Sequence, residues 1–169
     1  PDWDDNAWLY EGTARMMEDK TFANIDSFAN AASAQFSYND EINDYLVNTN
    51  ADMTSFGMRY ESALFWNYFA EQFGTDPDEP ELGVDAIETL WDAVDPADDI
   101  AAVNLALSTL GAGTDFDGAF RRFTAANWLK DLAGASAQYN YVDEDQAGNP
   151  MPYGPISPNN GGTINSQNG

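Results

Sequence analysis

Histidine and cysteine are both absent from this sequence of 169 residues. The absence of cysteine excludes disulfide bonds, thiolate metal sites and cysteine nucleophiles. The absence of histidine excludes a serine-hydrolase triad and the imidazole ligands on which most catalytic zinc sites depend. The carboxylates are therefore the main groups left for binding a metal, and the sequence predicts no complete catalytic site within this chain.

Basic residues are also scarce, since 6 Lys and Arg stand against 29 Asp and Glu, for a formal net charge of −23. Nucleic acids and anionic lipid surfaces bind through cationic groups, so neither is expected as a partner. No apolar run approaches the ~20 residues that a membrane-spanning helix needs. Such an acidic surface favours a secreted or cell-surface location in a saline setting, although solubility alone explains the same bias.

The N-terminal end of the sequence carries one further expectation. The first residue is Pro1 rather than Met, and no basic-then-apolar signal segment precedes the first helical pattern. We therefore expect the chain to be a processed or excised piece of a longer protein.

The spacing of the apolar residues follows the helical period, and no convincing alternating strand pattern occurs in residues 1–132. The prediction is an all-α fold, a compact bundle of about five helices in residues 1–133. An irregular tail or linker rich in Gly, Pro and Asn is predicted in residues 134–169. The predicted helices cover about residues 6–20, 57–73, 84–94, 96–111 and 115–132, with short helical turns near 42–47 in a loop over 22–56.

The apolar stripes of these helices give the predicted core. The helix at 57–73 is apolar nearly all round, which predicts that it lies at the centre of the domain. Asp95 and Pro96 are expected to supply the N-cap and first turn of the fourth helix. The predicted inward residues are Tyr60, Leu64, Phe65, Trp66, Tyr68, Phe69, Phe73, Val84, Ile87, Trp91, Val94, Ile100, Val103, Leu107, Leu110, Phe116, Phe120 and Phe123, with Trp128 and Leu129 toward a neighbouring face.

The first predicted helix carries a group of charged residues on one face. Glu11 and Arg15 are four residues apart, and Glu18 is seven residues from Glu11. A catalytic zinc takes three protein ligands and a water molecule, and a carboxylate is an accepted third ligand. Glu–Arg pairs at this spacing are also ordinary exposed pairs on a helix, so the spacing leaves both interpretations open.

The segment Trp8-Leu9-Tyr10-Glu11-Gly12-Thr13-Ala14 resembles the Trp-x-x-Glu-Gly-Thr-Ala element of secreted bacterial zinc metallopeptidases of the gluzincin type. Residues 3–132 are similar to the helical C-terminal subdomain of that group, which lies downstream of its HExxH helix. Further matching elements are Met17-Glu18-Asp19, Tyr60 to Trp66, Ala70 to Gly74, Ile87 to Trp91, and Ala119 to Trp128.

This resemblance implies that Glu11 is the third zinc ligand, with Arg15 and Glu18 around it rather than on the metal. The HExxH element is missing from the sequence, so both histidine ligands and the general base would come from the remainder of the parent protein. The implied parent is a zinc enzyme that acts on a peptide or protein substrate. The chain alone is expected to be inactive and to bind no zinc tightly, because one carboxylate gives too few ligands. Glu11 is expected at a cleft or open face rather than in the core.

Two other functions stay open. One is a non-catalytic, acidic extracellular module that acts by binding or as structural material, with calcium held by the acidic loops Asp76–Glu81 and Asp143–Asp145. The other is a metallopeptidase relative whose zinc site is lost. The Asp115-Phe116-Asp117-Gly118 segment resembles a calcium loop but lacks its later ligands, so we interpret it as a capped helix start.

Overall fold

The computed structural model describes residues 6–21, 45, 51–78, 81–129 and 134–141. Across these residues the chain forms five α-helices and no strand, which confirms the predicted all-α bundle. None of the described helices is long and apolar enough to cross a membrane. The helices are α1 (Ala7–Thr21), α2 (Ala63–Phe73), α3 (Val84–Val94), α4 (Asp99–Thr109) and α5 (Phe116–Leu129), with short 3-10 helices at Phe56–Met58 and Ala137–Tyr139.

Helix α2 occupies the centre of the bundle, as its all-round apolar sequence predicts. Every residue from Ala63 to Ala70 is buried. The helix begins later than the sequence pattern suggests, because the chain runs through a 3-10 helix and tight turns before it. Ala63, for example, donates its backbone N–H to the carbonyl of Tyr60, only three residues back, at 3.0 Å.

An aromatic cluster centred on Phe65 joins three helices. The Phe65 ring lies edge-on to Phe116 and Phe123 of α5, with centroid distances of 5.7 and 5.3 Å. It also lies 6.3 Å from the Trp8 ring of α1. Edge-to-face contacts of this kind each add about 0.5–1.5 kcal/mol beyond area burial. The predicted inward placement of Phe116 and Phe123 is therefore confirmed.

Three large apolar residues that were expected to face other elements are exposed instead. Trp91, Ile100 and Trp128 are 43%, 36% and 61% exposed, respectively. Alanines explain the first two errors, because they line the buried faces of α3 and α4 and let the helices approach closely. The contact face predicted from the largest apolar side chains of each helix is therefore rotated about the helix axis relative to the face that is buried. The buried faces consist of Ala86, Ile87, Leu90 and Ala93 on α3, and Ala102, Val103, Ala106 and Leu107 on α4.

The start of α4 also differs from the prediction. Asp95 lies in the turn that ends α3, and the next helix begins at Asp99 rather than at Pro96. The cause is tertiary, since the backbone N–H of Asp99 donates to the side chain of Asn6, the residue before α1, at 2.7 Å. The predicted cap at Asp115 is confirmed, because its carboxylate accepts from the backbone N–H of Gly118 at 2.9 Å.

Residues 134–141, the first part of the predicted tail, lie against the bundle. The Tyr68 hydroxyl donates to the carbonyl of Gln138 at 2.6 Å. The Tyr141 hydroxyl donates to the amide oxygen of Asn127 at 2.6 Å. Burial raises the pKa of Tyr68 above its ordinary value, and Arg122 acts in the opposite direction. The rest of the predicted tail and the turns at 42–47, apart from a helical Tyr45, lie outside the described residues.

Candidate functional site on helix α1

Helix α1, which carries the three candidate site residues, has one buried face and one open face. Ala14 and Glu18 are exposed on the open face, and Glu11 lies half-buried at its edge. The division follows the helical period of 3.6 residues, with the buried residues on the opposite side. Those buried residues are Trp8, Leu9, Gly12, Thr13, Met16 and Lys20; Ala7, in the first turn, is buried as well although it lies on the side of Glu11.

The buried face of α1 is fixed to α2 through one carbonyl group. The backbone oxygen of Trp8 accepts hydrogen bonds from the Ser62 hydroxyl at 2.8 Å and from the Trp66 indole N–H at 2.9 Å. The Trp8 and Trp66 rings stack at a centroid distance of 4.8 Å. Two donors from another helix on a single helical carbonyl hold α1 in one register and one rotation against α2.

Gly12 makes this close contact sterically feasible. A Cβ atom at position 12 would lie 2.6 Å from Cδ1 of Trp66 and closer still to the Ser62 hydroxyl, well inside contact distance. The next residue, Thr13, directs its hydroxyl to the carbonyl of Leu9 at 2.6 Å. The Gly-Thr part of the motif is therefore explained by packing. This role has no signal in the local sequence, because it depends on Ser62 and Trp66, which are 50 and 54 positions away.

A second contact fixes the N-terminal end of α1 to α4. The Trp8 indole N–H donates to the Asp99 carboxylate at 2.7 Å, while the Asp99 N–H donates to the Asn6 side chain. Asp99 has a φ of 50°, in the left-handed region. That conformation costs a non-glycine residue about 1–2 kcal/mol, which the two tertiary hydrogen bonds offset. Both ends of the Trp8 residue, its ring and its carbonyl, are thus held by neighbouring helices.

Of the three candidate residues on α1, two pair with each other and the third does not join them. An ion pair joins the Arg15 guanidinium to the Glu18 carboxylate, with Arg15 mostly buried and Glu18 53% exposed. Glu11 lies one helical turn before Arg15, and within the described part of the chain no hydrogen bond or ion pair occupies its carboxylate. The structure therefore brings Arg15 and Glu18 together and leaves the Glu11 oxygens available to another ligand.

The described residues contain no group of three or more Asp, Glu, His or Cys side chains that could hold a metal ion together. Asp76 and Asp78 are exposed in the first candidate calcium loop, and the loop is closed by Asp85, which follows it. The Asp85 carboxylate accepts the backbone N–H of Thr75 at 2.9 Å and its hydroxyl at 2.7 Å. The second loop, Asp143–Asp145, lies outside the described residues.

The hydrogen bonds to Asp85 shift its proton affinity. Burial acts to raise the pKa of the carboxyl, but hydrogen bonds from Thr75, Asp76 and Ala86 outweigh it and hold the pKa below its ordinary value of 3.8. Asp85 is therefore ionised in the folded chain at neutral pH and serves as the acceptor that closes the loop.

Comparison with protein-family models, curated proteins and solved structures finds no match for this chain.

Proposed function

We propose that the chain is the helical lobe of a secreted or cell-surface zinc metallopeptidase, and that it presents Glu11 as the third zinc ligand to an HExxH helix in the rest of the parent protein. The observation that supports this proposal best is the position of Glu11 on a helix that is fixed to its neighbours. Its carboxylate lies at the open edge of a helix whose opposite face is fixed by Ser62, Trp66 and Asp99. A metal ligand must be positioned closely, and the contacts of Trp8 fix the backbone that carries Glu11, while its carboxylate is left to turn toward a metal.

The chain would supply one ligand to a zinc site, the Glu11 carboxylate. A single carboxylate oxygen is a suitable third ligand beside two imidazoles, and the fourth position stays open for water. Zinc in such a site acidifies the bound water enough for attack on a peptide carbonyl near neutral pH. Glu11 would supply negative charge and orientation to the metal. The mostly buried Arg15 guanidinium, one turn after Glu11, would partly neutralise the negative charge of Glu11 and Glu18 on this face.

The test uses the complete parent protein. We expect an HExxH sequence in the part that precedes residue 1, and one zinc ion per molecule of purified protein. Replacement of Glu11 by Gln should lower the zinc content well below one equivalent and abolish cleavage of a casein substrate, because a neutral amide is a poor zinc ligand. Zinc content is measured by atomic emission on protein dialysed against metal-free buffer.

Glu81→Gln is the matched control, because it removes the same charge from an exposed turn before α3. It should retain both zinc and activity. A parent without HExxH, or a Glu11→Gln variant that keeps full zinc and activity, would remove this proposal and leave a non-catalytic acidic module.

A further inference from the structure

Trp91 and Tyr10 form an aromatic surface shared by two helices. Trp91 of α3 is 43% exposed, and its ring lies 5.2 Å from the ring of Tyr10 on α1, with an angle of 38° between the planes. Tyr10 is half-buried. We call this pair the Tyr10–Trp91 surface. The contact with Tyr10 limits the rotation of the indole, so that one face of a large aromatic ring is held in place toward solvent.

The buried face of α3 does not include Trp91. Among the described residues that face consists of Ala86, Ile87, Leu90 and Ala93, and Trp91 lies at its edge, one helical turn after Ile87. A single exposed aromatic residue is common on protein surfaces and needs no explanation. Here, however, two aromatic side chains from different helices meet at the surface, and Trp91 stays partly open to solvent beside Tyr10.

Carboxylates flank this surface on the same side of α3. Glu88 precedes Trp91 by three residues and Asp95 follows it by four, so both are its neighbours on the helix face. Glu88, Asp95 and the adjacent Asp92 are all exposed. Helix α3 contains no Lys or Arg. The electrostatic potential over the indole face is therefore negative, from the ring quadrupole and from the nearby carboxylates together.

We propose that the Tyr10–Trp91 surface binds a cationic side chain, Arg or Lys, of an extended peptide segment. An Arg guanidinium can stack on the indole face while its N–H groups reach the Glu88 or Asp95 carboxylates. The charge of the surroundings favours this partner over an apolar one, because a cation gains attraction from the nearby carboxylates that an uncharged side chain does not. The proposal needs neither Glu11 nor a metal, so it stands independently of the zinc site.

The binding test uses the full chain and a fluorescein-labelled peptide of alternating Gly and Arg, followed by fluorescence anisotropy in 150 mM sodium chloride. At that salt concentration the screening length is about 8 Å, which suppresses diffuse attraction to the acidic molecule. Trp91→Ala should weaken binding roughly 3- to 30-fold, from loss of the cation–π contact. A peptide of alternating Gly and Gln should not bind.

Two matched variants make the test specific. Trp128→Ala removes the same side chain from a more exposed place on α5 and should leave the affinity unchanged. Glu88→Gln should weaken binding, whereas Asp117→Asn, which removes one exposed charge from the first turn of α5, should not. Equal losses in both tryptophan variants, or in both charge variants, would mean diffuse electrostatic attraction and would overturn the proposal.

A second measurement on the unmodified chain covers the case in which a variant fails to fold. In a ¹⁵N-labelled sample, the indole N–H resonance of Trp91 should shift on addition of the Gly-Arg peptide, while that of Trp128 stays in place. If the Trp91 resonance remains unshifted at saturating peptide, the cation binds elsewhere and the proposal is wrong.

Discussion

The close packing of α1 against α2 depends on Gly12. Its missing side chain leaves room for the Ser62 hydroxyl and the Trp66 indole to reach the Trp8 carbonyl. Glu11, beside it, is the residue that the zinc proposal needs. The two neighbours thus differ in position: Gly12 packs against α2, and Glu11 lies at the edge of the open face of α1. In the sequence they are part of the same motif.

Replacement of Gly12 by Ala tests this role. The added methyl group would overlap Ser62 and Trp66, and overpacking of this kind costs about 1–3 kcal/mol. We expect the free energy of unfolding, from urea titrations followed by tryptophan fluorescence, to fall by that amount. Gly57→Ala is the control, because a Cβ there meets only the Ser55 hydroxyl, at 3.8 Å. Equal effects of the two substitutions would contradict the close packing at Gly12.

At the scale of helices, the sequence predicts the number, order and approximate bounds of the elements, because each has a strong apolar period. It fails where a contact face is built from alanine, as on α3 and α4, since small residues carry little weight in a hydrophobic pattern. It also fails at the start of α4, where a hydrogen bond with Asn6, the residue before α1, fixes the first turn. The open position of Glu11 follows from the helical period, but the fixation of its helix by Ser62, Trp66 and Asp99 has no local signature.

The rotated face of α3 can be tested with two adjacent residues. Leu90 is 1% exposed and Trp91 is 43% exposed. Leu90→Ala should lower the free energy of unfolding by about 2–5 kcal/mol, because it opens a cavity in the core. Trp91→Ala should lower it by about 1–2 kcal/mol, less than Leu90→Ala despite removing the larger side chain, because it loses a surface contact with Tyr10 and opens no cavity in the core. Chemical denaturation of both variants gives the comparison, and the reverse order would restore the stripe predicted from the sequence.

The loop between α2 and α3 should show a defined pH dependence through Asp85. Its folded pKa lies below the ordinary value of 3.8, so its ionised form stabilises the fold above that pH. This stabilisation is lost as the pH falls through the lower, folded pKa. The melting temperature of Asp85→Asn should therefore lie below that of the unmodified chain at pH 7, and the gap should narrow as the pH falls below 3.8. A gap independent of pH would show that the charge of Asp85 has no role.

For the molecule as a whole, the balance of 29 acids against 6 bases is the dominant electrostatic fact. Self-repulsion at this charge destabilises the compact state when it is unscreened. The screening length falls from about 30 Å at 0.01 M salt to about 3 Å at 1 M, which removes most of the repulsion. Stability in strong salt is therefore a property of the entire surface rather than of any one residue.

We accordingly expect the melting temperature to rise with sodium chloride between these concentrations. If the acidic loops bind calcium, millimolar calcium should raise it further than sodium at equal ionic strength, because a ligand selective for the folded state stabilises it by mass action. A rise with sodium and no added calcium effect would remove the calcium-binding alternative. A melting temperature that stays flat in both titrations would mean that the charges are too dispersed for screening to matter.

The stacked rings of Trp8 and Trp66 have an optical consequence. Two indoles with centroids 4.8 Å apart and planes inclined by 29° interact through their transition dipoles, provided that they are held in a fixed, chiral arrangement. Such coupled chromophores give a paired positive and negative band in circular dichroism that neither ring gives alone. Because one ring belongs to α1 and the other to α2, this couplet reports the docking of the two helices separately from their helical content. The circular dichroism couplet therefore reports, without any added label, whether the helix that bears Glu11 is packed against α2.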